Sequence, residues 1–183
     1  DLVIVSNMQA LSKPNSMLID RSTGENTNMW GVATTFPNHE TGRIRLSFAV
    51  LIQGAGNDAR FSFEIRGVKT NTDRIATISF KNRDVRLNTN KPFVSNPKVH
   101  LGTYKPNQWY RLNLVLPTKN SADSNLRASL TPDSEKPAER KSAPKGVEVN
   151  LPKVAYGQLM LNVAPKKRHY KVFIDDVTVE HID

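Results

Sequence analysis

The sequence predicts an all-β domain built as a two-sheet antiparallel β-sandwich. Short runs of alternating apolar and polar residues recur along the chain, and turns rich in Gly, Pro and Asn separate them. No stretch of helical length shows the 3.6-residue apolar spacing of an amphipathic helix. One-sided alternation is typical of antiparallel sheets that have one packed face and one solvated face. The length of 183 residues suits one domain spanning 1–183.

The N-terminal half predicts short strands followed by clearer ones. Apolar or alternating runs indicate strands at 2–5, 16–20, 29–36, 44–52, 61–66 and 74–87. In the clearest run, every second residue from Ile44 to Ile52 is apolar, and Arg45 lies on the opposite side. The run 74–87 predicts a strand that continues into a tighter pairing through Val85.

The C-terminal half predicts two further strong strands and one irregular segment. Residues 99–102 lead into a turn, 109–116 alternate clearly, 126–130 alternate weakly, and 156–163 and 170–182 close the chain. The basic run 166–168 between the last two strands predicts a hairpin tip. Residues 131–146 are rich in Pro, Lys, Glu and Ser, which predicts a mobile surface loop.

Two adjacent carboxylates interrupt the last strand. Ile174 ends an apolar run on one face, and Val177 begins one on the other, so the phase changes at Asp175-Asp176. Such a change predicts a bulge that adds one residue to the strand. The two negative charges need a basic side chain, backbone N–H groups or a cation such as Ca²⁺ nearby. A solvated pair, a structural Ca²⁺ site and a catalytic pair all remain open.

Charge and composition narrow the classes of partner. The formal net charge of +9 favours polyanions such as nucleic acid, anionic lipid or acidic polysaccharide. Basic residues are scattered apart from 166–168, so we expect no nucleic-acid partner. No run approaches the ~18 apolar residues of a membrane span. The absence of cysteine excludes disulfides and thiolate metal sites, and the start at Asp1 predicts a processed or excised fragment.

Four segments carry a family resemblance, at 16–20, 42–48, 107–114 and 173–179. The first segment reads Ser-Met-Leu-Ile-Asp, and the second is a turn Gly followed by a strand that contains Phe. The third is a polar turn followed by Trp and an amphipathic strand, and the fourth begins Phe-Ile-Asp-Asp-Val. They resemble segments of the concanavalin A-like jelly-roll domains found in secreted bacterial carbohydrate-active proteins. That group includes lectin, glucanase and laminin-G-like domains. The resemblance implies a jelly roll, a glycan-related role, in some members a structural Ca²⁺, and a secreted, periplasmic or cell-surface location in bacteria.

The sequence departs from the enzymes of that fold. It lacks the Glu-x-Asp-x-x-Glu of laminarinase-type hydrolases and the Arg-rich and Gln-x-His motifs of alginate lyases. It also lacks a nucleophile elbow, a phosphate loop and a dinucleotide fingerprint. We therefore expect a non-catalytic carbohydrate-binding or accessory domain. The alternatives are a glycoside hydrolase or polysaccharide lyase, in which Glu64 would pair with an acid on a neighbouring strand, and a structural or interaction module.

The polar sides of the clear strands predict the ligand surface. If these strands adjoin in one sheet, they form a basic concave face whose arginines grip carboxylates or sulfates. An ordinary solvated face with cross-strand Glu–Arg pairs is the alternative. The predicted ligand-binding residues are Trp30, Arg45, Glu64, Arg66, Arg111 and Asn113. The predicted ligands of a structural Ca²⁺ are Asp20, Asp175 and Asp176.

Aromatic rings are the expected stacking platforms for sugars, because a ring offers an apolar face to sugar C–H groups. The candidates are Trp30, Tyr104, Trp109 and Tyr156. Trp109 opens a strong strand, which predicts a packing role. Trp30 lies between a polar loop and Gly31, so core and ligand-contact positions both remain open.

Overall fold

The computed structural model is a sandwich of two antiparallel sheets. It describes residues 2–6, 16–20, 30–35, 40–54, 59–67, 74–89, 98–122, 124–133, 146–150, 156–163 and 170–182. The strands are β1 (Leu2–Ser6), β2 (Ser16–Asp20), β3 (Trp30–Thr35), β4 (Arg43–Gly54), β5 (Arg60–Gly67), β6 (Arg74–Lys81), β7 (Asp84–Thr89), β8 (Lys98–Thr103), β9 (Trp109–Pro117), β10 (Asn125–Pro132), β11 (Val147–Asn150), β12 (Tyr156–Val163) and β13 (Tyr170–Ile182).

Strand pairing divides these elements into two sheets. Sheet A has seven strands in the order β1-β2-β13-β4-β9-β10-β11. Sheet B has six strands in the order β3-β12-β5-β6-β7-β8. Many neighbours are distant in sequence, since β4 pairs with β13 and β5 pairs with β12. The predicted two-sheet antiparallel sandwich is therefore confirmed.

Alternation sends the apolar side of each sheet into a shared core. Phe48 of sheet A meets Phe63 of sheet B with ring centroids 4.5 Å apart. Phe61 and Phe80 stack within sheet B, also at 4.5 Å. The hydroxyl of Tyr170 donates to the carbonyl of Arg60 over 2.9 Å and links the sheets. Burying each phenylalanine contributes about 1.5–3 kcal/mol, so this cluster stabilises the sandwich.

Most predicted strands are present, with changes at their ends. The run 74–87 is divided by a two-residue turn at Asn82 and Arg83, whose φ angles are 52° and 66°. Positive φ at both positions matches the twist of a tight antiparallel hairpin, so β6 and β7 are separate strands. β10 extends to Pro132, into the predicted loop 131–146, and β11 was not predicted.

The phase change in the last strand is a β-bulge, as predicted. Asp175 pairs with Ala49 and Thr178 pairs with Ser47, so β13 holds one extra residue there. Asp176 takes up the irregularity with a φ of 50°. Aspartate tolerates this left-handed conformation better than a β-branched residue would.

Several predicted turns and loops lie wholly or partly outside the described residues. They include those at 10–15, 21–28, 37–42, 54–58, 67–73, 88–98 and 131–146, and the hairpin tip at 166–168. Within the described part of the chain, no helix has the length and apolar character needed to cross a membrane.

Candidate functional site

The outer face of sheet B, which points away from the core, carries a row of polar side chains across five strands. Strand register places them opposite one another, one from each of β12, β5, β6, β7 and β8. They are Asn162, Ser62, Ser79, Arg86 and His100. The row follows from alternation, because the neighbouring positions on each strand face the core.

A second row on the outer face of sheet B is recessed. It consists of Met160, Glu64, Thr77 and Asn88, in register across β12, β5, β6 and β7. Glu64 is 5% exposed and Thr77 is 7% exposed, although both point away from the core. Polar side chains are mostly exposed unless they have partners. Surrounding groups therefore shield the middle of this face from solvent.

Glu64 is held by two arginines. Its Oε2 accepts hydrogen bonds from Arg66 Nη2 at 2.7 Å and Arg66 Nε at 3.1 Å. Its Oε1 lies 3.5 Å from Arg74 Nη1. A buried carboxylate needs such cations to remain charged. Its described ion-pair partners are arginines, and the residues opposite it on β12 and β6 are Met160 and Thr77, neither of which is an acid.

Thr77 carries an unpaired hydroxyl. Its Oγ1 is buried and has no hydrogen-bond partner among the described residues. Asn88, directly opposite, donates from Nδ2 to Ser79 Oγ over 3.2 Å instead. An unsatisfied buried hydroxyl costs about 1–3 kcal/mol, and native structures contain few of them. Because Oγ1 itself is buried, a ligand hydroxyl reaches it only when the groups that shield it move aside.

A groove of about 470 Å³ opens over the β6–β7 hairpin and shares Ser79, Arg86 and Asn88 with these rows. Its lining is polar: Ser79, Lys81, Asn82, Asp84, Arg86 and Asn88. In the lining, Arg86 Nε donates to Asp84 Oδ2. His100 Nε2, from β8, lies 2.9 Å from Asp84 Oδ1. The volume falls within the range of roughly 300–1,000 Å³ that is typical of small-ligand sites.

The predicted basic face is divided between the sheets. Arg45, Arg111 and Asn113 belong to β4 and β9 of sheet A, whereas Glu64 and Arg66 belong to β5 of sheet B. The outer faces of the two sheets point in opposite directions. The predicted basic face required all these strands to adjoin in one sheet. They do not, because β4 and β9 pair with each other whereas β5 pairs with β6 and β12. Ligand binding by the sheet A residues stays a prediction.

Local bonds account for the polar side chains on the outer face of sheet A. Arg45 Nη1 lies 3.3 Å from Glu180 Oε2, with both side chains about half exposed. Ser47 Oγ donates to Asn113 Oδ1 over 2.8 Å. These contacts match the alternative of a solvated face with cross-strand pairs.

The Asp175-Asp176 bulge is neutralised by an arginine and a backbone amide. Arg111 Nη2 lies 2.7 Å from Asp176 Oδ2 and 2.7 Å from Asp133 Oδ2. The backbone N–H of Asp176 donates to Asp175 Oδ1 over 2.7 Å. Two of the three predicted ways of neutralising the pair are thus present.

The three predicted metal ligands do not come together. Asp20 lies 3.2 Å from Lys171 Nζ and is opposite that residue in the strand register. Lys171 precedes Asp175 by four residues of β13, about 13 Å along an extended strand. In the described ranges, no group of three or more His, Cys, Asp or Glu side chains is placed to hold a metal. The structural Ca²⁺ stays a prediction.

Two of the aromatic candidates have packing roles. Trp109 packs against Leu18, Leu51 and Phe173 on sheet A, as predicted. Tyr104 is 1% exposed, and burial raises the pKa of its phenol. The side chains of Trp30 and Tyr156 lie outside the described ones. The backbone of Trp30 pairs with Val163, and its contact with a ligand stays a prediction.

Comparison with known proteins supports the architecture. No protein-family model matches the sequence, and no curated protein matches it. A carbohydrate esterase from the Shiga toxin-encoding bacteriophage phi24B superposes with a TM-score of 0.66 at 13% identity, over 100% of this chain and 88% of that chain. A marine alginate lyase from Aplysia kurodai superposes with a TM-score of 0.60 at 7% identity, over 98% and 87%. The chain has the concanavalin A-like jelly-roll fold.

A smaller jelly-roll protein gives a further comparison. A galectin of Caenorhabditis elegans superposes with a TM-score of 0.51 at 14% identity, over 82% of this chain and 90% of that chain. Identities this low show the shared jelly roll alone, since unrelated functions occupy the same fold.

Several polar residues on the outer face of sheet B lie beyond the predicted ligand-binding set. Thr77, Ser79 and Lys81 occupy polar positions of β6 but were not among the predicted ligand-binding residues. Arg86 and Asn88 alternate with Val85 and Leu87 in the same way. Alternation identifies these positions as outward-facing. Alternation does not show that β6 and β7 lie beside β5 in one sheet. Only the strand pairing in the structure shows this.

Proposed function

We propose that this jelly roll is a carbohydrate-binding or accessory domain that takes a glycan chain on the outer face of sheet B. The observation that carries the proposal is the recessed polar floor, where the buried hydroxyl of Thr77 has no partner among the described residues. Glycans present many hydroxyl groups, each of which donates and accepts hydrogen bonds. A floor that holds an unpaired hydrogen-bonding group suits such a ligand, provided that binding moves aside the groups that shield it.

The side chains around Thr77 favour hydrogen bonding over ring stacking. Ser62, Ser79 and Asn162 are short, so a chain of sugar rings can lie close to the strands. Neither described row contains an aromatic residue. Specificity would therefore come from hydroxyl and amide groups.

Charge favours an acidic glycan. Among the described side chains, the outer face of sheet B carries more cations than carboxylates, and an excess of positive charge attracts polyanions. The cations are Arg60, Arg66, Arg74, Lys81 and Arg86, and the carboxylates are Glu64 and Asp84. We place such a domain outside the bacterial cytoplasm, as a secreted, periplasmic or cell-surface protein, where polysaccharides are encountered.

Proteins of the same fold support a glycan partner. They include a galectin, alginate lyases, and botulinum neurotoxin type C, whose cell entry depends on two ganglioside molecules. The neurotoxin superposes with a TM-score of 0.57 over 99% of this chain and 42% of that chain. A glycan ligand is assigned to the present chain only as part of this proposal, because a shared fold does not establish a shared ligand.

Calorimetric titration at low salt tests the proposal. The panel is dextran, dextran sulfate, alginate and polygalacturonate, with wild type, Thr77→Val and Thr77→Ser. We expect binding to at least one polymer, weakened about three- to tenfold by Thr77→Val and retained by Thr77→Ser.

The matched control is Thr178→Val on the outer face of sheet A, where the hydroxyl lies 3.5 Å from the carbonyl of Ser47. We expect this variant to bind as the wild type does. Failure of every polymer to bind, or equal weakening by Thr77→Val and Thr178→Val, would contradict the proposed face.

A further inference from the structure

We propose that the groove over the β6–β7 hairpin is an oxyanion subsite at one end of the proposed glycan-binding face, which takes a sulfate ester or carboxylate group of an acidic polysaccharide. The subsite follows from the groove's own residues. The polysaccharide as the source of the oxyanion rests on the proposed function.

Lys81 supplies a charge that its neighbours do not neutralise. It stands directly opposite Asp84 in the register of β6 and β7. The carboxylate of Asp84 instead contacts Arg86 Nε through Oδ2 and His100 Nε2 through Oδ1. Among the described residues Lys81 therefore has no ion-pair partner, and it is exposed at the groove.

Arg86 supplies an oriented guanidinium. The contact with Asp84 uses Nε, and no described residue bonds its two terminal nitrogens. A guanidinium held from one side keeps donors on its remaining edge, which matches the planar arrangement of carboxylate or sulfate oxygens. Fixing the side chain in advance also reduces the ordering cost of binding.

Neutral donors complete the groove. Ser79 Oγ accepts a hydrogen bond from Asn88 Nδ2, so its own O–H is free to donate. Asn82 adds a second amide at the hairpin turn. The Asp84 carboxylate also lines the groove, but Arg86 and His100 contact its two oxygens. Lys81, the remaining edge of Arg86 and the neutral donors are left for the oxygens of a bound oxyanion.

The ion pair between Arg127 and Glu148 resembles that between Arg86 and Asp84 but lies outside the groove. Arg127 Nε lies 2.6 Å from Glu148 Oε1 on sheet A, and both side chains are 50% exposed. Arg86 is comparably exposed at 54% and is likewise bonded through Nε. Arg127 does not line the groove, which makes it the matched control for Arg86.

The first experiment uses inorganic sulfate alone. Sodium sulfate is titrated at constant ionic strength, with NMR detection of the Nε–H signals of Arg86 and Arg127 and the side-chain amides of Asn82 and Asn88. We expect saturable shifts at Arg86, Asn82 and Asn88 and none at Arg127. Equal, non-saturating shifts at both arginines would overturn the subsite, because they indicate general screening.

Lysine variants test the contribution of charge. Lys81→Gln should weaken sulfate binding about two- to fivefold, the effect of an exposed ion pair, whereas Lys119→Gln should not. Lys119 is an exposed residue in the turn after β9 and serves as the control. Equal effects of the two variants would overturn the proposal.

The second experiment compares polysaccharides that differ in charge alone. Dextran is paired with dextran sulfate, and methyl-esterified polygalacturonate with polygalacturonate. We expect wild type to prefer the charged member of at least one pair, which identifies sulfate or carboxylate as the ligand group. Lys81→Gln and Arg86→Gln should lose most of that preference, and Arg127→Gln should keep it.

The two experiments separate the two proposals. Saturable sulfate binding without any polysaccharide binding leaves the subsite standing and overturns the glycan function. Polysaccharide binding that Thr77→Val weakens, with a charge preference that Lys81→Gln leaves intact, overturns the subsite and leaves the glycan function standing.

Discussion

Asn88 lies directly opposite Thr77 across the β6–β7 pair, yet its side-chain amide donates to Ser79 Oγ, 3.2 Å away. The Thr77 hydroxyl is consequently buried with no partner in the described part of the chain. A buried, unpaired hydroxyl destabilises the free protein and becomes favourable when a ligand bonds to it. This relationship connects the fold to the proposed binding face.

Replacing Thr77 with valine should stabilise the protein. Valine has nearly the same shape, and the substitution removes the unpaired hydroxyl, so the free energy of unfolding should rise by about 0.5–1 kcal/mol. Urea denaturation measures the change. The control is Thr118→Val, because Thr118 is fully buried and its hydroxyl donates to the Gly42 carbonyl over 2.7 Å.

Thr118→Val should lower the free energy of unfolding by about 1 kcal/mol, since it removes the shorter of the two hydrogen bonds that the Gly42 carbonyl accepts. A loss of stability in Thr77→Val like that of Thr118→Val would mean that the Thr77 hydroxyl is already bonded in the free protein. Higher stability with weaker glycan binding is the combination expected of a group kept for a ligand.

Arg111 should be essential to the stability of sheet A. Arg111→Gln removes the guanidinium that bonds two carboxylates, and the side chain of one of them, Asp133, is only 2% exposed. We expect a loss of about 3–5 kcal/mol in the free energy of unfolding, measured by urea denaturation. Arg45→Gln is the control, because its pair with Glu180 is half exposed and should contribute at most about 1 kcal/mol. Similar losses in the free energy of unfolding in both variants would contradict a stabilising role for the bonds of Arg111 to Asp133 and Asp176.

Stability should fall at alkaline pH partly because of Tyr104. Burial raises the pKa of its phenol above 10.0, and a backbone hydrogen bond with Arg83 and the Arg83 charge oppose this only in part. The unfolded chain therefore releases the proton before the folded chain does. The Tyr104 contribution is complete below about pH 10 and declines as pH rises, by at most about 1.4 kcal/mol per pH unit.

Urea unfolding of wild type and Tyr104→Phe, from about pH 8 to pH 11, isolates this contribution. The difference in the free energy of unfolding should be constant at the lower pH values and should change above about pH 10, with wild type losing more stability. A difference that stays constant over the whole range would contradict the effect of burial on this phenol.

Local features of the fold were predictable from the sequence. The two-residue period of β4 and β9 identifies the inward residues, because successive side chains of a strand face opposite sides. The bulge at Asp175 was predictable for the same reason, since one added residue reverses the apolar phase.

Strand neighbours were not predictable, because alternation specifies a face and not a partner. Phe63 pairs with Leu161, almost a hundred residues away, and that pairing is set by packing of the whole domain. Arg45 and Glu64 both occupy polar positions that alternate with apolar residues in the sequence, but they belong to different sheets. The unpaired hydroxyl of Thr77 depends on the direction in which Asn88 turns, and no local pattern encodes that choice.

NMR mapping of the bound glycan tests the central claim most directly. Backbone and side-chain amide signals of the wild type are followed during titration with the polymer that binds best. The account predicts saturable shifts at Thr77, Asn88 and Asn162 on sheet B, with Ser47 and Asn113 on sheet A unchanged. Shifts confined to sheet A, or none on either face, would contradict it.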